Sequence, residues 1–249
     1  MGLSSKNMDA DSSDRGFFTA AFKKGTVAAW PICLGYAAIG LAFGVIARKA
    51  GLCPLEIGLM SLFVYAGSSQ FIAAAMIENG AGLMPVVLTT FIVNLRHLLM
   101  SSSLAVYLRE MNGPQTALFA YGITDESFAV NSASFRQGDW SWQAALVVNH
   151  ISNLTWVIST VLGGMLGSLV PDGAFGLDYA LTAMFICLLV FQLRDSLQIL
   201  VALISGITAV IIALFIPGNY YIILASFVAA TIGFIFRRGE LIRPVKKRL

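Results

Sequence analysis

Apolar runs of about twenty residues recur along the whole chain, separated by short breaks rich in Gly, Pro and charge. Their limits predict eight segments, near 26–47, 54–77, 82–107, 115–135, 142–169, 177–193, 197–216 and 219–236. A helix needs about twenty residues to cross a hydrocarbon layer roughly 30 Å thick, so each run has the length of a membrane crossing. The predicted fold class is all-α: a polytopic integral membrane helical bundle with seven to eight transmembrane segments, at least one discontinuous. Segment four is the least hydrophobic, because Asp125 and Glu126 fall near its middle. Hydropathy alone therefore leaves its crossing open, with a re-entrant segment as the alternative.

Charge placement favours eight crossings. With both ends cytoplasmic, the inside receives Lys6, Arg15, Lys23, Lys24, Arg136, Arg194 and six cations between Arg237 and Arg248, while the outside receives only Arg48, Lys49 and Arg109. An odd count would place the basic end outside, against the positive-inside bias. This reading gives a polar cytoplasmic tail over 1–25, one transmembrane transporter domain over 26–236 and a basic cytoplasmic tail over 237–249. The first 25 residues lack the apolar centre and cleavage site of a secretory signal, so the first spanning helix is expected to direct insertion into the cell (inner) membrane.

Composition strengthens the membrane reading: of 249 residues 57% are hydrophobic and only 12% charged, with a mean hydropathy of +0.80. Soluble domains carry about a quarter charged residues. The net charge of +3 gives no reason to expect nucleic acid, because six of the sixteen Lys/Arg lie in the last thirteen residues beside a membrane helix. Cys33, Cys53 and Cys187 are scattered without metal-ligand spacing and read as small hydrophobes; no cofactor is expected. No Walker-type phosphate cradle, metal spacing or nucleophile elbow is present, which disfavours nucleotide-driven transport and intramembrane catalysis.

At apparent membrane depth the ionisable residues reduce to Arg96, His97, Asp125, Glu126 and His150. Such groups cost several kcal/mol unless paired or hydrated, so they tend to face one another or a cavity. An ion pair between Arg96 and Asp125 or Glu126 is therefore expected. Adjacent helical residues project about 100° apart, so the two acids do not both reach one partner, and one is left for substrate or protons. A purely structural network locking the helices is the alternative. Asn94 and His97 share a face of segment three, and His97 suits a proton relay. Asn149, His150 and Asn153 form a second polar stripe on segment five, lining a pathway or bonding between helices.

Gly67, Ser68, Ser69 and Gln70 interrupt an otherwise apolar segment, so a broken helix is expected there. The free amides at the start of its second half, with those side chains, would hold a carboxylate. A continuous helix using small residues for packing is the alternative. Gly35, Gly40 and Gly44 in segment one, with Gly163, Gly164 and Gly167 in segment five, read as helix-packing glycines.

Three runs, Pro31 to Gly44 (PICLGYAAIGLAFG), Tyr65 to Phe71 (YAGSSQF) and Asn94 to Leu104 (NLRHLLMSSSL), joined by Tyr121 to Phe128 (YGITDESF), resemble the AzlC family, the large component of branched-chain amino acid exporters. The likeness is close over about 20 to 135 and otherwise rests on hydropathy, length and the basic tail. It carries over Gly67, Ser68, Ser69 and Gln70, then Arg96 and His97, then Thr124, Asp125 and Glu126 as the family's polar positions, and assigns nothing to segment five. The resemblance implies proton-driven efflux of valine, leucine and isoleucine, sometimes methionine, with a small AzlD-type membrane subunit as partner. Read this way, Gly67 to Gln70, Asn94, Thr124 and Asp125 are substrate-binding candidates, and Arg96, His97, Asp125 and Glu126 proton-coupling or ion-pair candidates. The competing readings are a passive channel for small polar solutes and, more remotely, an intramembrane enzyme.

Overall fold

The computed structural model describes residues 3–171, 186, 189–190, 193, 196–215, 228 and 231–233, with side chains from Phe18 onward. Most of segments six and eight, Cys187, Arg194 and the basic tail 237–249 lie outside the described residues. Every described element is helical: α1 (Leu3–Lys49), α2 (Pro54–Phe63), α3 (Gly67–Glu78), α4 (Leu83–Leu104), a 3-10 turn (Ala105–Tyr107), α5 (Gly113–Tyr121), α6 (Asp125–Gln137), α7 (Trp142–Leu166) and α8 (Ser196–Phe215). Among the described residues, four stretches are long and apolar enough to cross a membrane: Phe18–Lys49, Leu83–Tyr107, Trp142–Leu166 and Ser196–Phe215. The helical backbone of α1 begins at Leu3, well before residue 26.

The chain divides into two compact units, residues 1–81 with 93–177 and residues 82–92 with 178–249. In the second unit, α8 is strongly apolar and has no buried residue, the surface expected of a helix solvated by lipid. All the polar candidate residues fall in the first unit.

That unit is organised by α1 packing along α7. A Cβ at Gly25 would meet the Ala144 carbonyl at 2.6 Å, and one at Gly40 or Gly44 would run into the Ser159 hydroxyl or the Thr160 carbonyl. Residue numbers rise together along both helices, so α1 and α7 run parallel. Small residues let the backbones meet, which is how helices associate where lipid removes the hydrophobic drive. Glycine packing therefore accounts for Gly40, Gly44, Gly163 and Gly164, whereas Gly35 has open space around it. Gly44→Val is expected to cost about 1–3 kcal/mol by overpacking against backbone that cannot yield. Thermal denaturation in detergent should show that loss, with Gly35→Ala as the unaffected control.

Segments two and four are each split into two short helices. Cys53 and Pro54 start α2, with the Glu56 carboxylate accepting from the Cys53 amide at 2.7 Å; Asn112 and Pro114 start α5, with Asn112 Oδ1 accepting from the Gln115 amide at 3.0 Å. The first break is the discontinuity expected at the serine run. The second lies within a stretch that hydropathy reads as one helix.

Candidate functional site

At the first break α2 ends at Phe63 and α3 begins at Gly67. Tyr65 between them has φ +39°, a left-handed conformation that costs a bulky residue about 1–3 kcal/mol and persists only where its surroundings enforce it. Gln70 supplies much of that enforcement. Its Oε1 accepts from the Ala66 amide at 3.3 Å and Trp156 Nε1 at 2.9 Å, and its Nε2 donates to Ser61 Oγ at 3.1 Å. Thr160 Oγ1 donates to Ser61 in turn at 2.8 Å, tying both half-helices to α7. Gln70 and Ser69 are fully buried, and Ser69 Oγ donates to the Ala66 carbonyl at 3.0 Å.

Each buried donor or acceptor stripped of its partner costs about 1–3 kcal/mol. Gln70→Ala leaves the Ala66 amide and Trp156 Nε1 without partners and is expected to lower the melting temperature, whereas Gln70→Glu, which keeps the acceptor for Trp156, should lower it less; differential scanning fluorimetry separates the two.

At the second break α5 ends at Tyr121 and Thr124 caps α6, its Oγ1 accepting from the Ser127 amide at 3.4 Å. Asp125 and Glu126 thus stand in the first turn of α6, at the positive end of its dipole. Here α7 helps again. Asn149 Nδ2 donates at 3.1 Å to the Phe119 carbonyl, which also accepts from the Gly122 amide at 3.2 Å where α5 stops. Its Oδ1 accepts from Asn131 Nδ2 at 2.9 Å, and Asn131 Oδ1 accepts from Trp140 Nε1 at 3.1 Å. The two breaks also meet directly: the Tyr121 hydroxyl donates to the Leu62 carbonyl at the end of α2, and the Tyr65 and Tyr121 ring centroids lie 6.2 Å apart. Asn153 Nδ2 donates to the Tyr121 hydroxyl at 3.3 Å.

Arg96 on α4 bridges the breaks. Its Nη1 pairs with Asp125 Oδ2 at 2.7 Å and its Nη2 donates to Ser68 Oγ at 2.5 Å. The expected Arg96 contact with one acid of segment four is present. The side chains are partly open, 30% exposed for Arg96 and 45% for Asp125. Glu126 turns elsewhere. Its Oε2 accepts from the Tyr36 hydroxyl on α1 at 2.7 Å, and Tyr36 also contacts Thr124 Oγ1 at 2.8 Å. A hydroxyl has one proton, so with Tyr36 donating to Glu126 the Thr124 hydroxyl donates to Tyr36. The two acids thus have different partners, one a guanidinium and the other a neutral phenol.

Several polar atoms around this junction are buried and without a hydrogen-bond partner among the described residues: Arg96 Nε, Asn94 Oδ1 and His97 Nε2 on α4, and His150 Nε2 on α7. The amide groups that open α3 also have no side-chain cap. His97 lies within electrostatic reach of Arg96 and Glu126. His150 contacts the Leu146 carbonyl through Nδ1 at 2.9 Å, away from the ion pair.

The structure therefore gathers Ser68, Arg96, Thr124, Asp125 and Glu126, with Gly67 packed beside the Trp156 ring. It commits the side chains of Gln70, Ser69 and Asn149 to closing the breaks. Sequence reasoning missed Tyr36, Tyr65, Tyr121, Ser61 and Trp156. An aromatic or serine within an apolar run has the same signature as packing, and only for Tyr65 and Tyr121 does a signal exist: each stands where a glycine follows within two residues and the helix stops.

A family described as AzlC protein matches residues 31–170, which contain every element of the junction. The chain is 33% identical over 201 residues to the inner membrane protein YgaZ of Escherichia coli K12, covering 77% of this chain and 82% of that one. It is 30% identical over 227 residues to the branched-chain amino acid transport protein AzlC of Bacillus subtilis 168, covering 89% and 87%. An uncharacterized membrane protein of Archaeoglobus fulgidus is 33% identical over 179 residues, covering 71% and 78%. No solved structure matches significantly.

Proposed function

The chain belongs to the AzlC family, and from that premise we propose that this membrane transporter exports branched-chain amino acids, coupled to protons, in a bacterial inner membrane. The reading rests most on one observation: two helix breaks meet at a junction where a guanidinium, two carboxylates and uncapped amides stand within a span of otherwise apolar helices. A zwitterion needs both signs of charge and an apolar surface, and all three are offered there. The substrate carboxylate is assigned to the α3 amides of Gly67 and Ser68, the Ser68 hydroxyl and Arg96 Nε. Its ammonium is assigned to the acids of α6. Gln70 acts behind the cradle, holding its backbone open, and Asn149 does the same for the second break. Asn94 and His97, with unpartnered atoms on α4, are placed along the path of water and protons.

Eight crossings with both ends cytoplasmic, and a small AzlD-type subunit as partner, belong to this proposal. Two contacts support the topology. Lys24 Nζ pairs with Asp139 Oδ2 at 2.7 Å, and Lys49 Nζ donates to the Pro171 carbonyl at 3.2 Å. Each joins chain positions separated by four proposed crossings, an even number that returns to the same side, and the parallel run of α1 and α7 has the same parity.

The test is efflux of labelled leucine from proteoliposomes, with and without an imposed proton gradient and with the small subunit present or omitted. Uphill movement that follows the gradient is the expected result. Equilibration without accumulation would make the protein a passive facilitator, and no leucine flux under any condition would remove the exporter reading.

A further inference from the structure

A cavity of about 600 Å³ lies apart from the junction, between α1 and the end of α6, lined by Lys23, Lys24, Val27, Gln137, Asp139 and Trp140 among others. Its depth in the membrane follows from α1 itself. From Lys24 to Arg48 the helix rises about 36 Å at 1.5 Å per residue, slightly more than a hydrocarbon layer of about 30 Å. The two basic ends of the span, Lys23 and Lys24 at one and Arg48 and Lys49 at the other, therefore mark the two interfaces. Trp30, on the membrane side of Lys24, is 63% exposed, an aromatic placed near that interface.

The walls combine two chemistries. Val27 and Ala28 give an apolar side that continues along α1 toward the bilayer, and Trp140 gives a wall fixed by its hydrogen bond to the fully buried Asn131. The polar side holds two lysines against one aspartate. Lys24 is neutralised by Asp139 at 2.7 Å, while Lys23 has no ion pair among the described residues, so one positive charge is left over. Gln137 and Asp139 offer acceptors beside it.

We propose that this cavity binds an anionic phospholipid with a hydroxyl-bearing headgroup, such as phosphatidylglycerol. Its phosphate sits on Lys23, its headgroup hydroxyls donate to Gln137 and Asp139, and one acyl chain lies along Val27 and Ala28. Basic cavities between membrane helices at the cytoplasmic surface are suited to anionic headgroups. A zwitterionic ethanolamine lipid fits less well, because its ammonium would share the cavity with two lysines. The lipid would brace α1 against α6, the helix that carries Asp125 and Glu126 at its other end, and it does so whatever the cargo is.

Native mass spectrometry of the full chain in detergent, titrated in parallel with phosphatidylglycerol, phosphatidylethanolamine and phosphatidylcholine, tests this. Phosphatidylglycerol is expected to bind at least tenfold more tightly than either other lipid and to raise the melting temperature. Lys23→Gln should abolish that preference, and because Lys23 is exposed, its own lipid-free melting temperature should match the parent's. Arg109→Gln, on the proposed outer side, should keep the preference. Equal binding of the three lipids, or an undiminished preference in Lys23→Gln, would overturn the assignment.

Discussion

Arg96→Gln is expected to cut leucine efflux by about 30- to 100-fold. The substitution leaves Asp125 without its cation and Ser68 without its donor, since both contacts are made by the one guanidinium. Removing one partner of a fully buried pair costs about 3–5 kcal/mol. These side chains are 30% and 45% exposed, so screening moves the expected cost to about 2–3 kcal/mol, between that range and the small value of a surface pair. The loss has two components, which a second variant separates. Arg96→Gln/Asp125→Asn removes the uncompensated charge and should recover most of the melting temperature lost in Arg96→Gln. Transport should stay low in the double variant, because the substrate carboxylate still lacks its guanidinium. Recovery of both stability and efflux would show that the pair only locks the helices, which is the structural alternative. Wild-type efflux by Arg96→Gln alone would dismiss any role for the pair.

How much of this was legible in the sequence depends on how each residue differs from its surroundings. Arg96, Asp125 and Glu126 stand out because a charge among apolar residues has no cheap alternative to a partner. The first break was legible because Gly67, Ser68, Ser69 and Gln70 cluster in one turn. The second was not. Asp125 and Glu126 lower the local hydropathy whether the helix is continuous or broken, and the stop signal, Gly122 followed by a Thr124 cap with Ser127 three residues on, is short and polar enough to pass as part of that dip.

Gln70 and Asn149 show a different limit. A buried amide that holds a ligand and a buried amide that closes a broken backbone have the same sequence signature. Only the distances from Gln70 to Ala66, Ser61 and Trp156, and from Asn149 to the Phe119 carbonyl, reveal that both are spent on the protein's own chain. Tyr36 was hidden by its neighbours: among Gly35, Gly40 and Gly44 it reads as one more packing residue of α1, yet it supplies the hydroxyl on Glu126.

The difference between the two acids yields the second large effect. Asp125 is paired with a guanidinium, whereas Glu126 accepts only from the neutral Tyr36 phenol, which leaves Glu126 the more available of the two for a substrate ammonium. Under the proposed coupling, Glu126 is the acid expected to exchange a proton for the substrate ammonium. Glu126→Gln imitates the protonated acid and keeps an oxygen for Tyr36, so the variant should fold and melt like the parent. It should retain exchange of labelled for unlabelled leucine across a proteoliposome membrane to within about threefold, because exchange needs no proton release. Net efflux driven by a proton gradient should fall by at least tenfold, and its dependence on internal pH should flatten. Asp125→Asn is expected to behave differently, losing exchange and net efflux together as Arg96 is left unpaired. If Glu126→Gln still drives uphill efflux with the parent's pH dependence, the proton is carried elsewhere, and His97, whose Nε2 has no hydrogen-bond partner among the described residues, becomes the group to replace next.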